Sequence, residues 1–170
     1  MPRLLLQRLH PDSIREFNAA ADERFRDAVR LADADRRTAS IYFFGYAVEM
    51  LVKVAFLRVA GHAEHTPITT ADLRNYVGDK HGSVAHSLGL PGAKNLHDIF
   101  AWVELLIAYR SATGQKYYHP EFSDLLRTHV ITIHTLWSEN LRYHRNIAYN
   151  FELNGVRTAC EWIREHRDQI

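Results

Sequence analysis

Ile41-Tyr42-Phe43-Phe44-Gly45-Tyr46-Ala47-Val48-Glu49-Met50-Leu51-Val52-Lys53 is the stretch that decides the fold. From about Arg36 to Ala60 nearly every position is apolar, so the usual helical alternation of wet and dry faces almost vanishes, which marks a helix enclosed by others. Gly61 follows, where glycine commonly ends a helix. The segment is long enough to cross a bilayer, but Glu49, Lys53 and Arg58 would each cost roughly 2.5–3.5 kcal/mol near a membrane centre. The reading is therefore a buried core helix, with no membrane partner. Gly45 and Ala47 remove side-chain bulk so that a neighbouring helix can approach. Glu49 and Lys53 stand four residues apart on one face and can pair, which a carboxylate in such surroundings requires. A satisfied core glutamate and a glutamate lining a cleft both fit this pattern.

Working outward, Ser13-Ile14-Arg15-Glu16 has the form of a helix-starting capping box. Ile14, Phe17, Ala21, Phe25, Ala28 and Ala32 then repeat at three and four residues and give one buried stripe. Residues 69–94 hold a short helix, Ala71 to Val77, ended by Gly78 within a loop rich in Gly, His and Ser. Asn95 is the expected cap of a helix carrying Ile99, Trp102, Val103, Leu106 and Tyr109, ended by Gly114. After Pro120, Phe122, Leu125, Leu126, Val130, Ile133, Leu136 and Trp137 form another stripe, and a last helix carries Val156, Ala159, Cys160 and Ile163. No alternating strand pattern intervenes. The expectation is an all-α fold: an antiparallel bundle of about five main helices plus one short helix. Residues 1–12 form an N-terminal extension whose apolar run, Leu4 to Leu6, is too short for a signal peptide, and 13–170 form a single domain.

Composition narrows the function. A chain of 170 residues with 46% hydrophobic content can bury one core. The net charge of +1, from 21 basic and 20 acidic residues, supplies no global field for nucleic acid, so any RNA site must be local. The single cysteine, Cys160, excludes a disulfide framework and fits a reducing, cytoplasmic compartment. His62, His65, His81 and His86 lie in loops without metal-ligand spacing, and Gly89 and Gly92 do not make a phosphate-binding glycine loop, so neither metal nor cofactor is expected. The densest mixture of guanidinium and aromatic groups is Arg142, Tyr143, His144, Arg145 and Tyr149, where arginine can contact phosphate and tyrosine can stack on a base. Arginines neutralising Glu49, Glu139 or Glu152 between helices would give the same composition.

Three stretches in order carry a family resemblance: Ile41 to Lys53, then His97-Asp98-Ile99 opening a helix, then Trp137-Ser138-Glu139-Asn140-Leu141-Arg142-Tyr143 before a last amphipathic helix. Together they resemble the HEPN superfamily (higher eukaryotes and prokaryotes nucleotide-binding) from about residue 13 to residue 168. The resemblance implies a HEPN-like bundle, often a homodimer, with Glu49 turned toward the Arg-Tyr cluster of residues 142–149. Ribonucleases of that family cleave RNA without metal, using an Arg and, four to six residues on, a His at the start of the last core helix. The matching place is Arg145-Asn146-Ile147-Ala148-Tyr149-Asn150, where Asn150 stands at the expected histidine and cannot titrate.

Arg145, Arg142 and His144 are thus the candidate catalytic residues, and Glu49, Lys53, His97, Tyr143, Asn146, Tyr149 and Asn150 the candidate ligand-binding ones. A displaced Arg127/His134 pair is a weaker candidate. The resemblance implies a domain with a degenerate catalytic motif that binds RNA, a nucleotide or a partner protein, in a toxin–antitoxin or phage-defence module with a nucleotidyltransferase-type antitoxin. The alternatives are an active metal-independent endoribonuclease and a purely structural helical adaptor.

Overall fold

The computed structural model describes residues 9–115, 117 and 119–170 and is all-helical. Most of the expected extension over residues 1–12, including Leu4 to Leu6, lies outside the described residues. Among the described residues the order is α1 (Ile14–Asp33), α2 (Arg37–Val59), α3 (Thr70–Val77), α4 (Val84–Ser87), α5 (Ile99–Ala112), α6 (Phe122–Leu136), a 3-10 turn (Glu139–Tyr143) and α7 (Asn150–Glu165). Five long helices, α1, α2, α5, α6 and α7, make the bundle.

The central helix is α2, which packs against α1, α5, α6, α7 and the 3-10 turn. Its apolar length matches a membrane span, but most of that length is covered by the other helices. Phe44, Phe56 and Leu57 from α2 are fully enclosed with Trp102, Leu105 and Leu106 of α5, Leu126 and Ile133 of α6, and Ile163 of α7. Each such side chain contributes about 1.5–3 kcal/mol by leaving water.

Local chemistry sets the boundaries. The Ser13 hydroxyl accepts from the Glu16 amide at 3.2 Å and starts α1. Gly61, at φ +85°, lets the chain turn away after α2. The cap of α5 differs from the expectation: Asp98, not Asn95, accepts from the Ala101 amide at 3.0 Å, while Asn95 accepts from the His97 amide inside the preceding turn. An aspartate nearer the helix also complements its dipole, and so it takes the cap. Leu125, expected in the α6 stripe, is half exposed, because the stripe runs through Leu126, Val130 and Ile133.

The connection from α3 to α5 is more ordered than its Gly, His and Ser content suggests. It contains the extra turn α4, capped by Ser83, and a parallel bridge between Gly78 and Ala93. At Gly92, with φ +71°, a Cβ would collide with the Gly78 carbonyl, so only glycine allows this approach.

Candidate functional site

One face of α2 carries a polar string through the apolar interior. Tyr42, Tyr46, Glu49 and Lys53 are spaced by four, three and four residues, which places them on one side of the helix. Glu49 and Lys53 are buried, at 4% and 6% exposure, and form an ion pair. The half-buried His97, just before α5, brings its Nδ1 within 3.0 Å of both Glu49 oxygens. This bonding, opposed by burial and reinforced by the Glu49 charge, raises the His97 pKa above its usual value. Lys53 also lies 5.7 Å from the centre of the Trp102 ring. The buried carboxylate is therefore held between the Lys53 ammonium and the His97 ring, which adds a second positive charge when protonated, as desolvation demands.

The string continues upward through aromatic rings. Tyr46 meets His97 edge-on at 5.8 Å, Tyr42 at 4.9 Å and Trp137 at 5.3 Å. The Trp137 indole lies directly on Gly45 and donates from Nε1 to the Tyr42 carbonyl at 3.0 Å. A Cβ at Gly45 would sit inside that ring. Burial, then the neighbouring Tyr42, raises the Tyr46 pKa, with the Glu49 charge adding to the effect and Arg142 opposing it. Arg142, on the 3-10 turn, reaches the Tyr42 hydroxyl and stacks over Tyr143 at 4.7 Å. Glu139 of the same turn accepts from the Asn95 side chain at 2.7 Å and ties the turn to the start of α5.

The three stretches singled out in the sequence thus meet at one place: Glu49 and Lys53 from α2, His97 before α5, and Trp137 with Arg142 around the 3-10 turn. Glu49 was expected to face the 142–149 cluster. Of that cluster Arg142 joins it through Tyr42 and Tyr46, whereas Arg145 forms no hydrogen bond or ion pair among the described residues. Tyr42, Tyr46 and Trp137 were not among the expected site residues. Their signal was the spacing of hydroxyl-bearing rings on the Glu49 face of an otherwise apolar helix.

Residues 143–151 form a second, exposed surface. Tyr143, Tyr149 and Phe151 are 73%, 62% and 71% exposed, beside exposed Arg142, His144 and Arg145. The Tyr149 and Phe151 rings stack at 5.7 Å, nearly parallel. The backbone beneath them is anchored: the Thr38 hydroxyl accepts from the Ile147 and Ala148 amides at 2.8 and 2.9 Å. Asn146 returns the tie, accepting from the Thr38 amide at 3.0 Å and donating to the Asp35 carbonyl at 2.8 Å. Both ends of its amide are occupied, so Asn146 holds the loop. Asn150 opens α7 and accepts from Arg37 at 3.4 Å.

Other candidates have local partners. Arg127 is bound by Glu104 at 2.7 Å and Asp124 at 3.2 Å, and His134 lies 3.8 Å from Asp98. His129 stacks on Trp162 at 4.4 Å, and burial, then His166, lowers its pKa. Cys160 is buried and its thiol is pushed up by desolvation, which opposes a nucleophilic role. His62 contacts the Tyr76 hydroxyl, and the His81 and His86 rings meet at 4.3 Å. No family model, curated protein or solved structure matches the chain.

Proposed function

We propose that this is a HEPN-like domain that binds single-stranded RNA through residues 142–151 and does not cleave it. The observation that carries the reading is the set of strongly exposed rings, Tyr143, Tyr149 and Phe151, in one segment with exposed Arg142, His144 and Arg145 on a backbone pinned to α2. Exposed aromatic rings give bases a stacking platform worth about 1–3 kcal/mol per base, and guanidinium groups that no carboxylate neutralises meet phosphates. A pre-anchored loop loses less entropy on binding than a free one. Cleavage would need a titrating group aligned with Arg145, and Asn150 at the head of α7 offers an amide already engaged by Arg37. In this reading the protein acts in the cytoplasm, as one part of a toxin–antitoxin or phage-defence module. A second copy or a nucleotidyltransferase-type protein is its partner in that module.

Fluorescence anisotropy with labelled single-stranded RNA in chelator tests this directly. Saturable binding that weakens at least tenfold in Arg145→Ala and in Tyr143→Ala, with the RNA left intact, supports the proposal. RNA cut by the wild type but not by Arg145→Ala supports an active endoribonuclease, in which His144, exposed on the same loop, supplies the titrating group. Binding unchanged in both variants removes the loop from consideration and favours a structural adaptor.

A further inference from the structure

A concavity whose lining includes none of residues 142–151 lies between α3, the loop of residues 78–97 and the approach to α5. It encloses about 940 Å³, near the upper end of the roughly 300–1,000 Å³ range of small-molecule sites. Arg74, Lys80 and Lys94 line it together with His97, and Asp79 is its only acidic lining residue. Among the described residues none of these three cations forms an ion pair. Arg58, Arg127 and Arg157, by contrast, each lie within 2.8 Å of a carboxylate. The chain has only four lysines, and two of them face this cleft. A chain with almost no net charge has therefore gathered two uncompensated positive charges around one hollow.

The walls are built rather than loose. The Gly78–Ala93 bridge closes one side, and the buried Ser83 hydroxyl donates to the Gly78 carbonyl at 2.6 Å. Gly92 is seated against the Gly78 carbonyl so closely that no side chain fits there. The Nδ1 of His97 is taken by Glu49, which leaves Nε2 as the ring atom for a ligand. Thr70 and Asn75 add neutral hydrogen-bonding groups to the lining.

We propose that this cleft binds a small phosphorylated ligand, its phosphate groups held by Arg74, Lys80 and Lys94. A phosphate monoester or a diphosphate carries about two or more negative charges near neutral pH and matches the cationic excess. The volume suits one such molecule rather than a polymer. This site goes beyond the RNA reading and shares no residue with the loop assigned to RNA.

Isothermal titration calorimetry of the full chain at constant ionic strength is the test, with inorganic pyrophosphate as probe. The expected result is one saturable site whose affinity falls at least tenfold in Lys80→Ala/Lys94→Ala and stays within twofold in Arg142→Ala/Arg145→Ala. Both lysines are exposed, so the fold survives their truncation, and circular dichroism verifies this. No saturation at millimolar pyrophosphate overturns the proposal, as does binding indifferent to the lysine pair, which would be diffuse surface attraction. Displacement of pyrophosphate by single-stranded RNA in the wild type also overturns it, because the cleft would then belong to a polymer track.

Discussion

Glu49 is the residue on which the interior chemistry turns. Its carboxylate is almost out of water and is shared by Lys53 and His97. Replacing it with alanine strands the Lys53 ammonium in an apolar helix, and the expected cost is about 3–5 kcal/mol, read from urea denaturation. His97 adds a pH dependence of definite sign. Its folded pKa is raised, so its protonated form stabilises the fold fully below the unfolded value, about 6.5, and that stability is lost as pH rises through the folded value. Urea midpoints across this window should fall with rising pH in the wild type, and the His97 share of the slope should vanish in His97→Gln. Gly45 is equally constrained. Gly45→Ala drives a methyl group into the Trp137 ring, and the expected loss is at least about 1–3 kcal/mol, with a change in tryptophan fluorescence. At this scale the sequence was informative where chemistry is local: an acid and a base four residues apart announced a pair. That His97 would complete it was suggested by resemblance alone, because the two residues are 48 positions apart in the chain.

Among the elements, α2 and the 143–149 connection depend on each other. Thr38, in the first turn of α2, accepts from two consecutive amides of the connection, and Asn146 answers with both ends of its side chain. Thr38→Val preserves shape but leaves those amides without their acceptor, and the expected cost is about 1–3 kcal/mol. Weaker RNA binding should accompany it if the loop must be held to bind. Helix existence was legible from the apolar pattern, since four stripes and one almost uniformly apolar run became five long helices. Helix beginnings were less so: Asn95 and Asp98 are both capping residues, and only the path of the turn decides between them. The tie at Thr38 was not legible, because nothing local distinguishes a threonine that receives a distant loop from one that faces solvent.

For the whole molecule, near-neutral charge conceals an uneven distribution. If the 142–151 surface meets RNA phosphates through Arg142 and Arg145, the affinity should decline with salt. Removing both guanidinium groups should lower the slope of log affinity against log salt by about 1.4, following roughly 0.7 per neutralised phosphate of a single strand. An unchanged slope would mean that the phosphates are met elsewhere. The all-helical class was visible in the absence of alternating patterns. The cleft of Arg74, Lys80 and Lys94 was not visible, because its walls come from a loop whose course depends on one bridge and on glycines at positive φ.

The double anchor at Thr38 also has a kinetic signature. Ile147 and Ala148 lie in a segment whose side chains are largely bathed in water, where amide protons ordinarily exchange with solvent at once. With both amides bonded to one hydroxyl on α2, their deuterium uptake should be slow and synchronous. It should be timed by the opening of the first turn of the central helix, not by the motion of the loop itself.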